Sequence, residues 1–187
     1  MGSYVYSPAQ RGLHWLMAAI ILAAIGIGLY AVALPKGDPS KAQLFFAHKS
    51  LGMTALLLVV ARVFLRAAQG APPYRVALDR LTRSAASAGH GALYVLMLGV
   101  PLAGYVLSCA ADRPVSLFGL FTFPSLVSPD KALAAAADSA HVYGAWTLIV
   151  VLAVHMMAAL WHHWFKKDEV MARMAPHLAR ESSRTSA

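Results

Sequence analysis

The chain has 187 residues, 59% of them hydrophobic and only 13% charged, which is too apolar for a water-soluble domain of this length. Its formal charge of +8 would suit nucleic acid, but the cations gather in a few connections, so the expected partner is anionic lipid and not nucleic acid. A single cysteine, Cys109, excludes an intramolecular disulfide and any multi-cysteine cluster site.

Four runs are long enough for a hydrocarbon core of about 30 Å: Leu13 to Leu34, Leu51 to Leu65 (lengthened by Leu44 to Ala47), Gly91 to Ala110, and Val142 to Phe165. The first is longer than a signal-peptide core and contains His14, so it is read as an uncleaved span. Arg11, Arg62, Arg66, Arg75, Arg80, Arg83, Lys166, Lys167, Arg173, Arg180 and Arg184 fall in or beside the N-terminus, the second connection and the tail. The other connections offset Lys36, Lys41, Lys49, Arg113 and Lys131 with Asp38, Asp112, Asp130 and Asp138. This bias predicts an all-α, multi-pass four-helix bundle with both termini in the cytoplasm. Residues 1–176 form the predicted membrane domain, and 177–187 a polar, disordered tail.

Ser7-Pro8, Asp38-Pro39 and Ser128-Pro129 each read as a helix cap followed by proline at the first helical position. Helix one then carries His14 and, fourteen residues on, Gly28. At 100° per residue that interval returns to within about 40° of the same direction and advances about 21 Å, so one face presents imidazole at the inner level and a gap at the outer level. The gap either admits a flat macrocycle or, with Gly26, lets two helices approach. Helix two opens with His48-Lys49-Ser50-Leu51-Gly52 at the outer level; Arg62, fourteen residues beyond His48, and Arg66 either pair with an anionic group or snorkel to headgroups.

The second connection, Ala67 to Ala88, contains Gly70-Ala71-Pro72-Pro73 and an amphipathic stretch, Leu78 to Arg83. Helix three is expected to start near His90-Gly91, kink at Pro101, and leave a second gap at Gly104, again fourteen residues beyond a histidine. Ala111 to Ser128, rich in Phe, Pro and Gly, reads as a structured outer cap. Helix four repeats the interval with His141 and His155, and His162 lies two turns further on, beside His163 in a belt with Trp161 and Trp164. Glu181 to Ala187 reads as disordered.

Depth pairs His48 with His141 and His14 with His155. Imidazole inside hydrocarbon is costly and marks function, and iron in haem takes axial histidine. Two bis-histidine sites at opposite depths therefore point to two b-type haems; no Cys-x-x-Cys-His is present for covalent attachment. His90 is read as an inner ligand, a polar group beside a substrate pocket, or an interfacial residue. With His162 it either binds a quinone carbonyl and supplies protons or serves only the interface.

Arg11-Gly-Leu-His14-Trp15-Leu16, His48 to Gly52, Arg62-Val-Phe-Leu-Arg66, His90-Gly-Ala-Leu-Tyr94 with Pro101 and Gly104, and His155 through His162-His163 to Lys167-Asp168 and Arg173-Met174-Ala-Pro176 resemble the bacterial cytochrome b561 family, over roughly Tyr6 to Pro176. The resemblance, closest to its small superoxide-oxidising branch, implies an inner-membrane di-haem protein carrying electrons from periplasmic superoxide to ubiquinone. It implies His48 and His141 as ligands of the outer haem and His14 and His155 of the inner one; Gly28, Arg62 and Gly104, read from the spacing, would lie beside the cofactors. Lys49, with Arg113 and Lys131, would attract superoxide, and His90 and His162 would border the quinone. The rival readings are a cytochrome b subunit serving a periplasmic hydrogenase, dehydrogenase or soluble carrier, and a haem-free scaffold or transporter.

Overall fold

The computed structural model describes residues 4–74 and 79–178. Its main elements are four helices, α1 (Pro8–Ala33), α2 (Lys41–Gln69), α3 (Arg80–Ala110) and α4 (Lys131–Trp161), the last prolonged by a π-helical turn, His162–Lys166. All four are long and apolar enough to cross a membrane. Two short antiparallel strands, β1 (Ser116–Leu117) and β2 (Phe121–Thr122), pair between α3 and α4, with Ser116 opposite Thr122. The stretch expected to be disordered, Glu181 to Ala187, lies outside the described residues, as do Arg75 and Leu78, where the amphipathic stretch was expected to begin.

Local chemistry sets where each helix begins, and only one of the three predicted starts holds. Ser7 caps α1 as expected, its hydroxyl accepting from Gln10 N at 3.2 Å with Pro8 first in the helix. Asp38 does not cap α2: its carboxylate accepts from Ser40 N at 2.9 Å and Ser40 Oγ at 2.6 Å, closing a turn ahead of Lys41. Those two bonds hold the Asp38 carboxyl below its ordinary range. On α4 the cap is Asp130 rather than Ser128, accepting from Leu133 N at 2.8 Å. α3 starts at Arg80, well before His90, because Asp79 accepts from both the amide and the hydroxyl of Thr82. The second connection is correspondingly shorter than predicted, and α3 continues without interruption through Pro101.

α1 packs along α2, and α3 along α4; α2 and α3 join the two hairpins. Between them lies a core that includes Met17, Ile21, Met53, Leu56, Val59, Leu93 and Leu148. Leu22, Phe64, Val95, Trp146 and Val150 point outward, as suits a lipid-facing surface that hydrocarbon solvates as well as a protein core would.

At one end of the bundle, here the terminal end, Tyr6 N donates to Arg173 O at 3.1 Å and Trp15 Nε1 to Met174 O at 3.1 Å. Arg173, counted in the sequence as one of the topology-setting charges, is in fact 3% exposed. Its guanidinium bonds the carbonyls of Tyr4 and Pro72 and lies 3.6 Å from the centre of the Tyr74 ring, tying three stretches of chain together.

At the opposite, cap end, the 111–130 connection is structured, as expected. The fully buried Ser50 hydroxyl lies 2.8 Å from Ser116 O and accepts from Phe118 N at 3.0 Å, fastening the hairpin to α2. Ser50→Ala leaves the part-buried Phe118 amide without that partner, a loss of about 0.5–1.5 kcal/mol for such a bond. The expected result is faster hydrogen exchange at Phe118, with exchange in mid-α2 unchanged.

Candidate functional site

At the cap end, His48 on α2 and His141 on α4 face each other with ring centres 5.9 Å apart and planes at 88°. The two rings are seated in the same way. His48 Nδ1 lies 2.9 Å from Ala24 O of α1, and His141 Nδ1 lies 2.9 Å from Val100 O of α3. A backbone carbonyl only accepts, so in each case Nδ1 is the nitrogen that donates, which leaves Nε2 available to a metal.

Gly28 and Gly104 stand four residues beyond those two carbonyls, one turn along the same helix face. A Cβ at Gly28 would come within 2.8 Å of the His48 ring, and one at Gly104 within 2.9 Å of His141 Nδ1. The gaps, read in the sequence as room for a macrocycle or as a close helix contact, face the histidines of the neighbouring helices. The glycines make room for the two imidazoles.

Toward the terminal end, His14 on α1 and His155 on α4 have ring centres 6.4 Å apart, and His14 also meets the edge of Trp15. His90 on α3 is closer to His155, at 5.5 Å. Arg62, half-buried, donates to Gln10 O at 3.2 Å and lies within electrostatic range of all three histidines. Arg66 lies beside Tyr6, its guanidinium 3.5 Å from the hydroxyl and 5.6 Å from the ring centre.

The remaining candidates are placed less simply. Lys49, next to His48, donates from Nζ to Pro114 O at 2.9 Å, and Arg113 is near enough to act on its charge. His162 is not in ring contact with His90, whose ring neighbour is His155; it pairs instead with Asp168, Nδ1 to Oδ2 at 2.5 Å. Asp168 has no candidate role in the sequence reading. Nothing short of the backbone path through Lys167, whose φ is +53°, brings it there.

The two end-to-end pairs span helices that make no extended contact, α2 with α4 and α1 with α4. Metal–imidazole bonds of about 2 Å, with roughly 1 Å from each ligating nitrogen to its ring centre, need ring centres about 6 Å apart. Both pairs meet that requirement. Among the described residues no group of three or more His, Cys, Asp or Glu could hold a metal ion.

A family model described as prokaryotic cytochrome b561 matches residues 5–177. The chain belongs to this family. It is 34% identical over 169 residues to cytochrome b561 homolog 2 of Escherichia coli K12, covering 90% of each chain. It is 29% identical over 173 residues to the probable superoxide oxidase CybB of Yersinia pestis (91% of this chain, 96% of the relative) and 28% over 174 residues to cytochrome b561 homolog 1 of E. coli K12 (91% and 97%). Membership makes it an electron-transfer protein of the bacterial inner membrane that binds b-type haem, and sets aside the haem-free scaffold or transporter. The seated, Nε2-free histidines fit that cofactor.

Proposed function

We propose that this protein oxidises superoxide at its cap end and reduces ubiquinone at its terminal end, holding two haems in series between His48 and His141 and between His14 and His155. The observation that carries the reading is the pair of stacked bis-histidine slots leading from one end of the bundle to the other. Bound there, haem supplies reversible one-electron chemistry. In the expected orientation the cap faces the periplasm and the termini the cytoplasm.

The chain's own residues have separable tasks. Lys49 and Arg113 place positive charge beside the His48 slot, where it draws in a small anion. Lys131 opens α4 at the same end and adds to that charge. No proton transfer is required there, since superoxide leaves as oxygen once its electron is gone. Arg62 faces the inner slot with a planar fork suited to a carboxylate of the cofactor. His90 and His162 border the quinone, whose reduction consumes two electrons and two protons, so two superoxide ions serve one quinone. The similarity to a relative named as a probable superoxide oxidase supports this choice of donor over a partner hydrogenase, dehydrogenase or soluble carrier.

The test is to mix purified oxidised protein with a pulse of superoxide, follow the haem bands, and then add a short-chain ubiquinone. Reduction within the pulse and reoxidation by quinone are expected. Bands that stay oxidised with superoxide but are reduced by dithionite would move the donor to a protein partner.

A further inference from the structure

A side-chain pair at the terminal end, His162 with Asp168, takes no part in either histidine pair. On a continuous α-helix a residue six positions on lies about 120° round and about 9 Å further along, out of reach. Here the helix widens into a π-turn at His162–Lys166, and Lys167 caps it in the left-handed region, its N–H donated to His162 O. The chain doubles back, and Asp168 Oδ2 meets His162 Nδ1 at 2.5 Å.

Each carboxylate oxygen is engaged, because Oδ1 accepts from Val170 N at 3.0 Å. The segment that carries Asp168 is itself fixed: Ala172, Arg173 and Ala175 are buried beneath the bundle, and Arg173 bonds Tyr4 and Pro72. The two side chains are 15% and 29% exposed, so the pair is held by protein yet reachable by water.

We infer that Asp168 is the positioning residue of a proton-delivering dyad, an assignment that rests on quinone reduction at the terminal end. Its carboxylate holds the His162 Nδ1–H and balances the imidazolium charge, leaving Nε2–H as the proton donor. As the quinone takes each electron, one carbonyl oxygen gains a proton: the Nε2–H bond breaks, an O–H bond forms, and the ring returns to neutral. Water at the exposed side of the dyad then returns a proton to Nε2. Two such turns complete the quinol.

The experiment compares the haem-loaded wild type with Asp168→Asn and Asp168→Glu. Protein pre-reduced with dithionite is mixed with a short-chain ubiquinone over a range of concentrations, and ¹⁵N shifts of the labelled His162 ring are recorded on the same samples. Asp168→Asn is expected to lower the maximal reoxidation rate by about 100-fold with half-saturation changed less than about threefold, the size of a lost acid-base contribution. Asp168→Glu should recover most of that rate, and wild-type Nδ1 should be protonated. A wild type that quinone reoxidises, together with an Asp168→Asn variant within twofold of it, would overturn the dyad alone. A wild type that quinone does not reoxidise would overturn the quinone reading and the dyad with it. Should the Asn variant lose haem, the wild-type ring shifts and the Glu variant decide, an unprotonated Nδ1 counting against the dyad.

Discussion

Gly104→Ala is expected to weaken haem binding at the cap-end site by about 10- to 100-fold, the usual cost of disturbing a group that orients a metal ligand. The added Cβ would lie 2.9 Å from His141 Nδ1 and 3.0 Å from Cε1, closer than real Cβ contacts come. Rotating the ring away breaks its bond to Val100 O, the contact that fixes Nδ1 as the protonated nitrogen. α3 has little freedom to retreat, because it packs against both α4 and α2. Gly28→Ala should act in the same way through His48 and Ala24. Gly26→Ala is the control: no atom lies within 4 Å of its added Cβ, so its haem content should match wild type. The measurement is haem per protein by pyridine haemochrome, which on the proposed two-haem reading should fall from two toward one in the Gly104 and Gly28 variants. Equal loss in the Gly26 variant would mean that helix packing, not ligand seating, is at stake.

The contrast between Gly26 and Gly28 also marks the limit of what periodicity conveys. A fourteen-residue interval places His14 and Gly28 on one face, and His48 and Arg62 on another, because helical geometry is the same for any chain. The four apolar spans were legible for the same reason: hydrocarbon thickness dictates their length. What fills the space over a glycine depends on the neighbouring helix and its rotation, which no local pattern specifies. Helix starts were legible only in part, since Ser128 and Asp130 are both competent caps and the choice falls to the bond that Leu133 N makes. The His162 and Asp168 pair was out of reach altogether, because an α-helical wheel puts six positions on opposite flanks and only the π-turn with a left-handed Lys167 overrides it.

His14→Ala is expected to abolish bis-histidine haem at the inner site, whereas His90→Ala keeps it. His155 has both rings for neighbours, and by distance alone His90 is the nearer, at 5.5 Å against 6.4 Å. The helices decide between them. α3 and α4 pack against each other, and packed helices have axes about 8–10 Å apart, closer than a macrocycle between them would allow. α1 and α4 make no extended contact and approach at this level through the two imidazoles. The cap-end pair repeats the arrangement, His48 and His141 meeting across α2 and α4, which are likewise not packed together. On the proposed reading a planar group enters where helices stand apart, a condition that suits His48 with His141 and His14 with His155 better than His90 with His155. In low-temperature electron paramagnetic resonance of the oxidised protein, His14→Ala should lose one of two low-spin signals and bind about half the haem. His90→Ala should retain both signals, with its defect confined to reoxidation by quinone. Loss of a low-spin signal in His90→Ala, with both signals intact in His14→Ala, would exchange the two roles and place the inner haem against α3.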